Sequence, residues 1–183
     1  GAAILGAPLA AYTAVLLGDT ANPTWNGARN GMANLFVSSA SMAAGGMAMV
    51  TTPVSHAGPA RIMAILGAAG DVVAMKAMKN GMHPVEAEPL ETGHAGDLLH
   101  WAEYLTIGGG IAALFAGKNR AVAVASGLAM ATASALTRFG ILEAGLESTK
   151  DPKYVIEPQK ARLAERRAKG IIHDSITTGP EQD

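Results

Sequence analysis

Two carboxyl side chains, Asp71 and Glu103, stand inside runs of apolar residues, where an ionised group is expensive and needs a use. The same apolar runs hold the hydroxyls of Ser38, Ser41 and Thr137 and one cation, Arg138. Carboxyls and hydroxyls gathered at one depth can order a chain of water and hand protons along it. The chemistry suggested is a proton half-channel that ends near Asp71, with Glu103 as relay and Arg138 as counter-charge. A plainer role stays open for each residue. Asp71 can hydrogen-bond across a helix interface as packing glue, serine and threonine can satisfy their own helix backbone, Glu103 can reach water from near a helix end, and Arg138 can snorkel.

The elements that must position these residues are five apolar runs, near 2–18, 33–51, 60–79, 97–117 and 120–142. An α-helix needs roughly 20 apolar residues to cross the hydrocarbon core, and these runs are apolar around most of their circumference instead of along one stripe. The expected fold class is therefore an all-α integral membrane helix bundle with five transmembrane helices, surrounded by a lipid bilayer. Asn22-Pro23 with Asn26-Gly27, Thr52-Pro53 with Gly58-Pro59, Asn80-Gly81 with Pro84 and Pro89, and Gly117-Lys118-Asn119 mark the loops. The bundle is expected over 1–143 and a polar, water-exposed tail over 144–183, with Asp151-Pro152 and Glu157-Pro158 as stops and a short amphipathic helix from Gln159 to Lys169. Mean hydropathy is +0.22 although the last third is polar, and 49% of residues are hydrophobic against 16% charged.

Basic residues fix the orientation. Arg61, Lys118 and Arg120 fall on one side, and all the other Lys and Arg fall on the opposite side or in the tail, which places the C-terminus in the cytoplasm. Gly1 then begins outside, within a helix and without an initiator Met, so an odd number of upstream spans is expected. From the rise of 1.5 Å per residue, Asp71 should lie about 15 Å from the outer helix end and about 12 Å from the inner one, and Glu103 about 9 Å from the inner end.

Trp25, Trp101 and Tyr104 fall near the inner boundary, as interface anchors or, for Trp101 and Tyr104, as candidates to stack on a quinone ring. His56 and His100 belong to opposite sides and cannot share a haem; His83 and His94 share a loop with Glu86, Glu88 and Glu91 at no compact metal-ligand spacing. No metal site is expected. Gly45-Gly46, Gly67 with Gly70, Gly108 to Gly110, and Gly127 with Ala131 offer small faces for close helix packing, the Gly108 run alternatively a kink. Nine Met read as apolar filler. With no Cys the chain can ligate no iron–sulfur cluster, so any such cluster must sit in a partner.

The segment from Ala7-Pro8 through Tyr12-Thr13 to Leu17, followed by Asn22-Pro23-Thr24-Trp25-Asn26, resembles the fourth span of the NrfD-like family, the membrane-subunit group of polysulfide reductase. The ending is similar too: Arg138-Phe139-Gly140, Ser148, Asp151-Pro152-Lys153-Tyr154 and Pro158-Gln159. The resemblance covers nearly the whole chain and carries no catalytic motif. It implies a multi-pass subunit of the bacterial inner membrane, commonly of eight spans, of which this chain would hold the fourth to eighth. Such a subunit exchanges electrons between the quinone pool, menaquinone or ubiquinone, and a ferredoxin-like iron–sulfur subunit, which serves a catalytic subunit that is often a molybdopterin enzyme. The family's quinone pocket lies mainly on early spans, so none of its residues carries over to this chain. No nucleic-acid partner is expected. The alternative is a fragment of a secondary transporter or proton channel with Asp71 as the midplane ion site. A purely structural anchor is the third reading.

Overall fold

The computed structural model describes residues 2–170 and is all-helical, with no strand among them. The elements are α1 (Ala2–Gly18), α2 (Pro23–Thr51), α3 (Gly58–Asn80), the single turn α4 (Pro84–Ala87) continued by a 3₁₀ turn (Glu88–Leu90), α5 (Gly93–Phe115), α6 (Arg120–Ser148) and α7 (Lys153–Ala168). Helices α2, α3, α5 and α6 form a ring in which α2 packs on α3 and α6, and α5 packs on the same two; α1 lies outside against α2. One end of the bundle carries α4 and α7, and the other carries Arg61 and Arg120.

Among the described residues three helices, α2, α5 and α6, are long and apolar enough to cross a membrane. Helix α3 has the length, 23 residues, but Arg61, Asp71, Lys76 and Lys79 dilute its apolar character, and the described apolar stretch of α1, Pro8–Gly18, is short. Two helices outrun their apolar segments. Helix α2 starts at Pro23, ten residues before the run at 33, because Asn22 accepts a hydrogen bond from Trp25 N at 3.2 Å and Pro23 sits where a helix lacks an amide partner anyway. Asn26-Gly27 thus lies inside a helix and not in a loop. Helix α6 continues past Leu142 to Ser148, its start capped by Asn119, which accepts from Ala121 N at 2.9 Å.

Close approach is set by glycine. A Cβ on Gly45 would come within 2.5 Å of Ala64 N, and one on Gly67 would strike the Met42 backbone, so α2 and α3 touch main chain to main chain. Gly46 and Gly127 face each other in the same way between α2 and α6. Of the Gly108 run, Gly109 meets Met130 and Gly110 meets Ala68, while Gly108 has open space; α5 is an unbroken helix there. Close packing, not a kink, is the role these glycines take.

The tail is not simply solvated. Helix α7 begins at Lys153 and runs through Pro158, so Glu157-Pro158 is not a stop; Tyr154 and Pro158 are buried. A proline inside a helix leaves one carbonyl without its amide, a cost offset here by burial of the ring. Arg162 meets the buried carboxylate of Glu86 at 2.8 Å, and Lys153 meets Glu88 at 2.9 Å, which docks α7 on α4 and the 3₁₀ turn. The Glu88 carboxylate holds the Lys153 ammonium above the usual lysine range. The tail beyond Gly170, like Gly1, lies outside the described residues.

Candidate functional site

Asp71 is carried by α3 at mid-length and is 5% exposed. Its carboxyl borders a cavity of about 350 Å³ between α3, α5 and α6, which Glu103 and Thr137 also line. The two acids, 32 residues apart in sequence, thus share one space, with Asp71 buried and Glu103 exposed. Lys76, Lys79, Glu91 and His100 complete its polar wall toward the α7 end, where Lys79 and Glu91 pair at 3.4 Å. A gradient from exposed charge to a single buried carboxyl is what an ion-access path requires.

The remaining proposed path residues separate. Thr137 lines the cavity but donates its hydroxyl proton to Ala133 O at 3.1 Å, inside its own helix. Arg138 is half-buried, stacks on the Phe36 ring at 5.0 Å and lies within electrostatic reach of Asp71. Counter-charge and apolar packing of the guanidinium therefore coexist in one residue. Ser38 and Ser41 are elsewhere. They line an open groove between α2 and α3 with Pro59, Ile62 and Leu66, and Ser41 donates to Val37 O at 2.9 Å. The serine that faces the Asp71 carboxyl is Ser39, engaged with Ser134 of α6 at 2.9 Å. Ser39 falls on the buried stripe Met32, Leu35, Phe36, Met42 and Met49, so helical spacing alone distinguishes it from Ser38 and Ser41.

Among the described residues two buried side-chain polar atoms have no hydrogen-bond partner: Asp71 Oδ1 and Thr106 Oγ1. Thr106 of α5 was not among the residues that charge or motif picks out; its place on the buried stripe Leu99, Ala102, Thr106, Gly109 and Ala113 is the available signal.

The aromatics divide as well. Trp101 and Tyr104 are 63% and 67% exposed on the outer face of α5, their rings edge to face at 6.2 Å. Trp25 is no free anchor: its Nε1 donates to Ile141 O at 2.8 Å and its ring lies against Gly145, where a Cβ would collide with it. Around it, Asn22 Nδ2 donates to Gly145 O at 2.7 Å, Ser148 Oγ donates to Asn22 Oδ1 at 3.0 Å, and Thr24 Oγ1 donates to Glu86 O at 2.9 Å. His83 and His94 do not share a loop: His83 caps α4, its Nδ1 accepting from Val85 N at 3.3 Å, while His94 stands in the first turn of α5 and pairs at the surface with Glu143 at 2.5 Å. Among the described residues no group of three or more His, Asp or Glu could hold a metal ion. A second and larger cavity, about 800 Å³, lies between α7 and the α1–α2 turn, but Arg162 and Lys169 on its wall are paired with Glu86 and Glu165.

Comparison with family models, with curated proteins and with solved structures gave no match.

Proposed function

We propose that the chain is the membrane-anchor, quinone-interacting subunit of a multi-subunit oxidoreductase in the bacterial inner membrane. It exchanges electrons between the quinone pool and an iron–sulfur partner subunit, and admits protons from the cytoplasm along the Asp71–Glu103 cavity. In this reading all five long helices cross the bilayer, as five of the eight spans common in the NrfD-like family, and α7 lies on the cytoplasmic side. Helix α3 enters the count because its charges fall at its ends and at Asp71, which the bundle interior shields.

One observation carries the reading. Parts of the separate segments that resemble the family meet at one end of the bundle: Asn22 and Trp25 bond to Ile141, Gly145 and Ser148, and Pro23 and Asn26 share a cavity wall with Tyr154 and Gln159. Their common role is structural: they fasten the α1–α2 turn to α6 and carry Tyr154 and Pro158 of the docked α7, in keeping with a resemblance that contains no catalytic motif.

The test is isolation of the intact complex from native membranes through a tag on this chain. Co-purification of an iron–sulfur protein whose electron-paramagnetic-resonance signals appear on addition of quinol is the expected result. The alternative, a transporter or proton channel, is favoured by the buried Asp71, whose Oδ1 has no partner within the protein, at the cavity. A protein that purifies alone, and in liposomes conducts protons without quinol, would establish that alternative and overturn the oxidoreductase reading.

A further inference from the structure

The two orphaned atoms belong together. Lys79 pairs with Glu91, Ala68 faces Gly110, and Arg61 meets Gly117, so α3 and α5 run antiparallel along their length. Asp71 is three residues past Ala68 and Thr106 four residues before Gly110. At 1.5 Å per residue they are displaced about 4.5 Å and about 6 Å in the same direction from a common contact, which puts them at one level. Thr106 also sits one turn beyond Ala102, which lines the Asp71 cavity. Every other buried serine or threonine among the described residues has a hydrogen-bond partner, as Thr137 has in Ala133 O and Ser126 in Ala123 O. Among the buried serines and threonines of the described residues, Thr106 alone has no partner, on its own helix or on another.

Leaving two buried polar atoms unsatisfied is costly, and a water with donors and acceptors on both sides removes that cost. We propose that Asp71 and Thr106 hold one water between them, and that Thr106 positions the water through which Asp71 gains and loses its proton. The Thr106 hydroxyl donates to the water oxygen, and the water donates to Asp71 Oδ1. A proton reaching this water makes hydronium, which passes it to the carboxylate; neutral water and a protonated Asp71 remain, and the reverse step restores the start. The charged and titratable groups that face this station are Lys76 and Lys79 from α3, Glu91 before α5, His100 and Glu103 from α5, and Arg138 from α6, while α2 presents Ser39. The inference deepens the proton-path reading of the same cavity and rests on it.

The test uses the tagged protein as it is isolated from native membranes, alone or with partners, in lipid nanodiscs, and pH-jump infrared difference spectra in ordinary and oxygen-18 water, with Asp71→Asn to assign the carboxyl band. Wild type and Thr106→Ser should show an O–H band that moves in oxygen-18 water and is lost in Asp71→Asn, and Thr106→Val, equal in size to threonine, should lack it. Proton uptake should slow about tenfold in Thr106→Val and stay near wild type in Thr106→Ser, as expected for loss of one hydrogen bond to a charged path. A wild-type spectrum without such a band overturns the assignment with no variant needed. So does Thr106→Val that keeps the band, or Thr106→Ser that loses it, since a packing role would suffer more from serine than from valine. The infrared measurement needs neither quinone nor an iron–sulfur partner, so failure of the oxidoreductase reading leaves it readable.

Discussion

The α7 end and the middle of the bundle use similar polar residues to opposite effect. At the α7 end Asn22, Trp25, Thr24 and Ser148 each find a partner on another element, and Gly145 lets the indole lie flat on α6. At mid-bundle Ser39 and Ser134 pair with each other, while Asp71 Oδ1 and Thr106 Oγ1 find no protein partner. Satisfied polar groups lock helices together; unsatisfied ones beside a cavity leave a place for water and charge. The difference predicts that substitutions at the first site cost stability and those at the second cost transport.

The largest effect should come from Gly145→Ala, whose methyl would occupy the space of the Trp25 ring. A loss of about 3 kcal/mol is expected, read as a drop in thermal unfolding temperature in detergent. Asn22→Ala removes the α2 cap and the bonds to Gly145 and Ser148, and should cost about 2 kcal/mol in the same assay. Asp71→Asn should reverse the pattern. Unfolding temperature should hold or rise, because a buried carboxyl without a full set of partners is removed, while quinol-linked proton uptake falls to the background level. Were Asp71→Asn to unfold the protein and Gly145→Ala leave it intact, the contrast between a lock and a path would be lost.

The smallest effect is expected where α7 docks. Glu88→Gln removes the partner of an exposed lysine, and in high salt the unfolding temperature should match wild type. The Lys153 ammonium titrates above its ordinary value in the folded chain, so this tether is complete at neutral pH and is lost as pH rises through the raised value. Limited proteolysis of α7, faster in wild type at alkaline pH and insensitive to that pH rise in Glu88→Gln, checks the sign.

Hydropathy located the long helices because a bundle interior and a bilayer both select apolar side chains, and that selection needs no knowledge of neighbours. It misjudged the ends of α2 and α6, where polar stretches stay helical because Asn22 caps one and Ile141, Gly145 and Ser148 anchor the other. Pro158 looked like a stop for the same reason: a breaker shows in sequence, but the burial that tolerates it does not. At the candidate site Asp71 and Glu103 line one cavity, with Glu103 about 6 Å nearer the α7 end by the rise per residue, an offset along the axis that spacing alone can approximate. Which serine faces the carboxyl, Ser39 and not Ser38 or Ser41, depends on azimuth as well as depth. Composition and spacing determined that the chain is helical, apolar and in possession of a rare buried acid. Only packing decided what surrounds that acid, because side chains brought together from α2, α3, α5 and α6 set its partners, and the sequence holds no direct record of their mutual rotation.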